Sequence, residues 1–569
     1  MSAKSTFGPL FVSVSVVLCV PLCSVAQEAP QIPDIRPPEQ PQDRQIPEFE
    51  VVPDVPIQVV PPEFPENQLT IPFTLTIDKF VVRGNSVIAE EEVQAVLEPF
   101  RNKPLSNNDL RAVESAIGEL YAENGYITTF AYLRLSDNAE LNLEGATVAV
   151  TIAEGRLEKI NVKSSRLSTY IKRRLKADVK GVVQEQQLQK SLRFLLNDPR
   201  IDTISVTFSE GSEYGASTLN VDARLNNPIN VSVGLSNNRS PSVSSFERQV
   251  QFQHLNVLGL GDALFLGYRN TNGSDAIGVG YSLPINRLDG TVDVFYQFVT
   301  SSIIEEPFEQ LDIEGRSDFV QLTYRQPILR RTTDNKIEEV ALGASLSHEN
   351  SSLTSPVIPF PISEGSEDDG RTRITAIRFF QEWSKRQNTS SFGLRSQFSL
   401  GVDVASTDNQ SSPDGQFFKW EAGARWSRKL PHNLTFNARA NLQFSDRALL
   451  ASEQFAFGGP TTVRGFRQNS VLSDNGFLAS LELDIPVYSG KVGRFTLYPF
   501  FDVGTGFDNS ESVIPTPGTL ASVGIGLSYQ LNDRLKATAE WGIPLINRPE
   551  NRGTLQEEGI HLSIIWNPL

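Results

Sequence analysis

The sequence predicts a transmembrane antiparallel β-barrel of about sixteen strands, preceded by two small α/β repeats of the order βααββ. Three observations lead to this fold class. From about residue 230 to the end, apolar and polar residues alternate with period two over long segments. Between residues 74 and 226, short strands and helical spacing recur twice in the same order. After the N-terminal segment no apolar run is long enough for a membrane helix, so strands that cross a bilayer must close into a barrel.

Residues 1–26 have the pattern of a secretory signal peptide. Lys4 supplies the positive charge, residues 7–22 are mostly apolar, and small residues follow at the cleavage site. A membrane anchor is the alternative interpretation of this segment. Both cysteines, Cys19 and Cys23, lie inside it, so the mature chain is expected to form no disulfide and no thiolate site.

Residues 27–72 predict an extended, disordered linker. Twelve prolines recur there among acidic and amide residues, and such a segment lacks the backbone donors and apolar side chains that a packed core needs. A ligand for a proline-binding partner is the alternative.

The two repeats are predicted at residues 74–154 and 155–226. Each begins with a strand, continues with two helices and ends with two strands. Apolar residues at helical spacing mark the longer helix of each repeat; they are Leu110, Val113 and Ile117 in the first and Leu188, Leu192 and Leu195 in the second.

The barrel is predicted over residues 227–569. In one strand, Phe418, Trp420 and Trp426 alternate with Lys419 and Arg425. Its strands run to about ten to thirteen residues, longer than the five to six that are usual in a soluble sandwich, and they match a tilted strand that spans a bilayer. Apolar side chains would then face lipid, and charged side chains a wet lumen.

Charge and composition argue against several functions. The net charge is −16, and removal of residues 1–26 with Lys4 leaves −17, which disfavours nucleic-acid binding. The four histidines are scattered without metal-ligand spacing. No phosphate-binding loop or nucleophile elbow occurs, so we expect no enzyme, no metal and no cofactor.

A long inserted loop of about residues 446–475 interrupts the series of strands. It contains two adjacent glycines and a motif in which an arginine is followed by a glycine; the residues are Gly458, Gly459, Val463, Arg464, Gly465 and Phe466. Loops of this length are usually functional. If the loop folds into the barrel, Arg464 needs an acidic partner, because an unpaired buried charge is costly.

The second strand after this loop contains a candidate acidic partner. Phe501 and Val503 suit the lipid face, so Asp502 points inward by period two. Glu482 and Asp484 on the preceding strand are inward-facing rivals. The alternative is that Arg464 is solvated at the loop tip and has no buried partner.

These motifs resemble those of a known family. In the first repeat they are residues 82–86 (VRGNS), 123–127 (ENGYI) and 154–155; in the barrel they are residues 256–262, 463–466 (VRGF) and 500–504 (FFDVG). Together they look like a TpsB transporter of two-partner secretion systems, within the BamA-like superfamily. The repeats resemble polypeptide-transport-associated (POTRA) domains. Some members carry a plug helix, which residues 27–72 do not resemble.

The resemblance implies a bacterial outer-membrane barrel with its repeats in the periplasm. It implies export of an unfolded, TpsA-like exoprotein through the lumen without ATP, by a monomer that contacts lipid and is inserted by the barrel assembly machinery. Arg464 would pair with Asp502 to hold the loop in the barrel. A BamA-like insertase is the alternative function, and a passive porin or receptor is a further one.

Overall fold

The structure is a computed structural model that describes residues 55–60, 69, 71, 74–135, 144–163, 166–179, 181–333, 335–358, 362–407, 413–509, 518–546 and 553–569. The predicted signal peptide and most of the Pro-rich segment 27–72 lie outside these residues. Of the helices described, none combines the length and apolar character required to cross a bilayer.

Two α/β repeats precede the barrel. Their elements, in chain order, are β1 (Ile57–Val59), β2 (Leu75–Arg83), α1 (Glu90–Leu97), β3 (Pro104–Leu105), α2 (Asn107–Glu123), β4 (Phe130–Leu135), β5 (Glu144–Ala153), β6 (Arg156–Val162), α3 (Ser168–Asp178), α4 (Glu185–Leu196), β7 (Ile201–Glu210) and β8 (Ala216–Leu225). The first repeat has the sheet order β3-β2-β5-β4, and the second has β1-β7-β8-β6.

Each repeat has its own apolar core, because the helical faces predicted from the sequence pack on one side of its sheet. Val113 and Ile117 of α2 are buried in the first core, and Leu188 and Leu192 of α4 in the second. Helix α2 begins with a capping box, in which the Ser106 hydroxyl accepts from the backbone N–H of Asp109 (3.4 Å) and the Asp109 carboxylate accepts from that of Ser106 (2.7 Å).

One prediction for residues 27–72 is wrong over part of the segment. Residues 57–59 are not disordered but form β1, which pairs in parallel with Val206 to Phe208 of β7. An edge position tolerates the neighbouring prolines, because one side of an edge strand needs no hydrogen-bond donors.

The described residues from 229 onward contain a closed antiparallel barrel of sixteen strands. They are β9 (Ile229–Ser236), β10 (Glu247–Leu255), β11 (Ala263–Asn270), β12 (Ser274–Pro284), β13 (Thr291–Ser302), β14 (Glu314–Thr333), β15 (Lys336–Thr354), β16 (Arg371–Gln387), β17 (Ser390–Val402), β18 (Phe418–Lys429), β19 (Thr435–Ser445), β22 (Asn475–Gly490), β23 (Gly493–Phe507), β24 (Thr519–Leu531), β25 (Leu535–Pro544) and β26 (Ile560–Trp566). Pairing of β26 with β9 closes the barrel. The predicted fold class is confirmed.

Alternation along the strands separates two environments. On β18, Phe418 is 46% exposed and Lys419 is 4% exposed; on β23, Phe501 is 39% exposed and Asp502 is 0% exposed. The apolar members of each pair therefore cover the outside of the barrel, and the charged members lie in its interior, as a bilayer-spanning barrel requires.

The inserted loop occupies residues 446–474, between the eleventh and twelfth strands of the barrel, β19 and β22. We call it the inward loop. It is not structureless, because β20 (Phe455–Phe457) and β21 (Val471–Ser473) form a short hairpin within it. The loop begins at the rim farther from the repeats, which we call the far rim; the rim on the repeats' side is the near rim.

Candidate functional site

The tip of the inward loop is shaped by glycines and a threonine. Gly458 and Gly459 have φ of 108° and 97°, a conformation that favours glycine. The Thr462 hydroxyl accepts from the N–H of Gly458 (2.9 Å) and donates to its carbonyl (2.8 Å). This closed turn places Arg464 at the end of the hairpin.

Arg464 is held by Asp502 through two parallel hydrogen bonds. Its Nε donates to Oδ2 at 2.8 Å and its Nη2 to Oδ1 at 3.0 Å. The Arg464 backbone N–H also donates to Oδ2 (3.1 Å), and the Ser480 hydroxyl donates to Oδ1 (2.6 Å). Asp502 lies five residues from the end of β23, so the loop tip reaches about 17 Å along the strand from the far rim.

Two further carboxylates meet the same guanidinium. Nη1 of Arg464 donates to Glu482 (2.7 Å) and to Glu540 (3.1 Å), and its Cζ lies 3.5 Å from the centre of the Phe500 ring. Glu482, considered a rival of Asp502 from the sequence, is thus an additional partner. Asp484 instead accepts from Asn437 (2.9 Å) and is not among the partners of Arg464 in the described chain.

Close backbone contact seats the loop against the wall. Gly465 has a φ of 94°, and its N–H donates to His561 Nε2 (3.4 Å). A Cβ added at Gly542 of β25 would lie 2.5 Å from the Gly465 nitrogen. Val463 and Phe466, which flank Arg464 and Gly465 in the sequence, are buried in an apolar cluster with residues of the wall. The fit therefore requires glycine on both surfaces.

Two other ion clusters on the inward loop were missed by the sequence analysis. Glu453 is buried between Arg378 (2.5 Å) and Lys419 (2.7 Å) of the wall. Arg467 bonds Glu305 (2.7 Å) and Glu557 (3.2 Å), which lie on two other loops of the far rim. The only sequence signal was the presence of charged residues inside a loop already expected to be buried.

The second repeat is bound to the near rim of the barrel. Arg200 donates to both Asp198 oxygens (2.6 Å each) and to the carbonyl of Gly261 in the β10–β11 turn, with its guanidinium 4.5 Å from the Tyr170 ring. Burial favours the neutral acid at Asp198, but the hydrogen bonds and charge of Arg200 hold its pKa below the ordinary value. Burial also raises the pKa of Tyr170 to about 12.

A second contact lies at the β12–β13 turn. Asp289 of this turn pairs with Arg174 of α3 and with Arg330 of β14 (2.5 Å). Arg174 belongs to the basic run 172–174, which from sequence alone would suit a solvated helix face, but its side chain is buried at the rim. The junction thus depends on buried charges that only docking brings together.

Arg200→Ala is expected to loosen this junction. The substitution leaves the buried Asp198 without its cation, which costs about 3 kcal/mol or more for a buried pair. Protease cleavage within residues 156–225, followed in the inserted full-length protein, should then begin at a lower urea concentration. Exposed Arg224 of the same repeat supplies the control substitution, Arg224→Ala. Equal protease resistance of the two variants would contradict the assignment.

A closed barrel, two α/β repeats and a loop locked in the lumen define a class of protein, the outer-membrane barrels with POTRA repeats. The family model for the haemolysin secretion/activation protein ShlB/FhaC/HecB matches residues 215–529, and the model for the ShlB-type POTRA domain matches residues 75–155. The chain belongs to the ShlB/FhaC/HecB family, the outer-membrane transporters of two-partner secretion. The resemblance, the class and the outer-membrane localisation predicted from the sequence are confirmed.

Individual relatives agree with this assignment. The outer membrane transporter CdiB of Escherichia coli is 24% identical over 487 residues, which cover 83% of this chain and 79% of the relative. The heme/hemopexin transporter protein HuxB of Haemophilus influenzae (strain 86-028NP) is 22% identical over 505 residues, which cover 84% and 85%.

Solved structures share the fold. CdiB from Escherichia coli superposes with a TM-score of 0.61 at 21% identity, over 89% of this chain and 93% of that one. BamA from Haemophilus ducreyi, lacking POTRA domains 1–3, gives 0.52 at 14% identity, over 87% and 100%. Members of the family are transporters rather than enzymes, and such a transporter implies a secreted partner.

Proposed function

We propose that this protein exports an unfolded exoprotein through its barrel without ATP, after the POTRA repeats have captured it in the periplasm. The observation that carries the proposal is the docking of the second repeat on the near rim through Arg200 and Asp289. A captured segment would thereby be held next to the entrance of the lumen. Folding of the exoprotein outside would prevent its return.

Each region has a role in this proposal. Residues 74–154 and 155–226 act as capture domains and residues 227–569 as the pore, with residues 1–26 as the export signal. The protein acts as a monomer in outer-membrane lipid, inserted by the barrel assembly machinery, with a TpsA-like partner. It performs no enzymatic step and binds no nucleic acid.

The inward loop acts as the gate of the pore. Motif residues Val463 to Phe466 and the loop glycines seat it, and Asp502 is the main partner of Arg464, supported by Glu482. The bidentate geometry and complete burial of Asp502 support this role, because such a pair has two discrete states, seated and released.

Deletion of residues 74–225 is expected to abolish secretion while the barrel still inserts. The barrel closes through its own strands, whereas capture needs the repeats. Secretion is measured by the partner's appearance in the medium, and insertion by heat-modifiable migration of the barrel in gels. Continued secretion by an inserted deletion variant would contradict the proposal.

The same strain tests the two alternatives. Loss of one exported protein indicates secretion, whereas depletion of many outer-membrane barrels would indicate an insertase. A change confined to the uptake of small solutes would indicate a porin or receptor.

A further inference from the structure

The sheet of the second repeat carries a strand from outside the repeat. Its order is β1-β7-β8-β6, so β7 would be an edge strand without β1. Ile57, Gln58 and Val59 pair with β7, and the N–H of Val60 donates to the carbonyl of Phe208 (3.0 Å). An unpaired edge is a template for any extended chain, and here the chain's own Pro-rich segment covers it.

A side chain of α4 binds the backbone of the same segment. The Gln189 amide accepts from the N–H of Val55 (3.0 Å) through Oε1 and donates to the carbonyl of Val55 (2.9 Å) through Nε2. These bonds are the ones that a neighbouring strand would make, and they do not depend on the side chain of the bound residue. Gln189 and β7 therefore form the two walls of a groove for an extended chain.

The floor of the groove selects apolar residues at alternate positions. Val55 is 2% exposed and belongs to the core of the second repeat, while Ile57 and Val59 pack against that core. Pro56 and Gln58 are exposed. The groove thus accepts a strand with apolar side chains at i, i+2 and i+4 and tolerates polar residues or proline between them.

The first repeat binds the Pro-rich segment in a similar way. The Asn107 amide accepts from the N–H of Ile71 (3.0 Å) and donates to its carbonyl (2.8 Å). The N–H of Leu69 donates to the carbonyl of Leu133 in β4, the edge strand of that sheet (3.1 Å). An edge strand combined with a helix amide thus binds backbone groups of the Pro-rich segment in both repeats.

We propose that the groove between β7 and Gln189 binds an extended segment of the exported protein, and that residues 55–60 are its resident occupant. Capture is then an exchange of one strand for another. The resident pairs with β7 over only three residues, so a longer segment with the same alternation gains hydrogen bonds that the resident lacks. This inference rests on the proposed function, because it names the site at which the exported protein is first bound.

A peptide with the sequence of residues 53–62 (PDVPIQVVPP) is the probe for the groove. In the full-length protein, the double substitution Ile57→Ser and Val59→Ser weakens the resident strand. The labelled peptide should bind this variant about tenfold or more tightly than the wild type, because the resident keeps the competent state below about a tenth of the population. Equal affinities, or binding to neither protein, would overturn the proposal.

The role of the Gln189 amide, which we call the amide clamp, is tested in the same variant. Adding Gln189→Leu should remove most of the gained affinity, and Gln187→Leu, at an exposed position of the same helix, should not. If both additions leave peptide binding unchanged, the clamp is not part of the site.

A reversible crosslink separates this inference from the proposed function. Gln58 and Thr207 are opposed in the β1–β7 pair, about 5 Å apart as neighbouring strands are. Changing both to cysteine in a chain whose only cysteines lie in the predicted signal allows oxidation to lock the resident in place. Oxidation should reduce both peptide binding and secretion about tenfold or more, and reductant should restore them.

The outcomes are distinguishable. Normal secretion by the oxidised double-cysteine protein would overturn the exchange and leave the proposed function intact. Absence of any secreted partner from wild type and reduced variant alike, with exchangeable peptide binding, would overturn the proposed function and leave the groove intact. Each single-cysteine variant controls for oxidation itself.

Discussion

Arg464→Ala is expected to release the inward loop and to reduce secretion by an order of magnitude or more. The substitution leaves the fully buried Asp502, together with Glu482 and Glu540, without their common cation. Removing one member of a buried ion pair costs about 3–5 kcal/mol, and about 1.4 kcal/mol already corresponds to a factor of ten. Planar-bilayer recordings should show larger or more frequent openings, and the partner should accumulate less in the medium.

The effects of the partner substitutions should follow the contacts. Asp502→Ala should have the smaller effect, because Arg464 keeps two glutamates, and Arg464→Lys should be intermediate, because lysine keeps the charge but loses the paired hydrogen bonds. A double-mutant cycle on Arg464 and Asp502 should give a coupling energy of about 1–3 kcal/mol. Simply additive effects on channel opening would contradict the pair.

An arginine of the same loop provides the control. Arg447 lies at the start of the inward loop, and its exposed side chain pairs with that of its neighbour Asp446. Arg447→Ala removes the same charge from the loop without disturbing the lumen, so its secretion and conductance should match those of the wild type. A similar loss in both variants would mean that the net charge of the loop, rather than the ion pairs of Arg464, controls secretion and conductance.

Gly542→Ala is the second substitution with a large expected effect. The added Cβ would lie 2.5 Å from the nitrogen of Gly465, and only backbone atoms are available there to move. The loop must therefore shift away from the wall although every charge in the site is retained. Secretion and bilayer conductance should change in the same direction as in Arg464→Ala.

The barrel wall offers a matched glycine for comparison. A Cβ at Gly278 of β12 would meet its nearest neighbour, the ring of Phe295, at 3.5 Å, an ordinary contact. Gly278→Ala should therefore insert and secrete normally. If Gly542→Ala also behaves as the wild type while Arg464→Ala does not, the charge of Arg464 rather than the seating of the loop controls the pore.

Strand number and strand faces could be predicted from the sequence because they are local properties. Period-two alternation predicted about sixteen strands and a long loop at about residues 446–475, and the structure has sixteen strands in the barrel with a loop at 446–474. The same rule turned Asp502 inward, and the structure places it in contact with Arg464. Neither step needs knowledge of which strands are neighbours in space.

Partners on distant strands could not be predicted in this way. Glu540 lies 76 residues from Arg464 and reaches it only because the barrel curves β25 round to the loop. The partners of Glu453 and Arg467 likewise lie on strands or loops remote in sequence. Alternation identifies the inward-facing charges of the strands, but it neither pairs them nor identifies the buried charges of the loops.

In the Pro-rich segment, local composition failed to predict structure that is present. Its composition predicts no packed core of its own, yet residues 55–60 contain valine and isoleucine at alternate positions. Whether such a short strand forms depends on an open sheet edge, which β7 provides 149 residues later. Local composition therefore underestimated the order of this segment.

The sequence by itself determined the class of this protein: the strands, the two repeats and the presence of an unusual arginine in a long loop follow from periodicity and residue type. Only the tertiary structure decided how the loop is locked, where the second repeat docks and what covers the edge of its sheet. The physical reason is that these features are contacts between residues distant in the chain. Barrel closure and docking bring their charges and strand edges together, and burial makes each contact strong enough to matter.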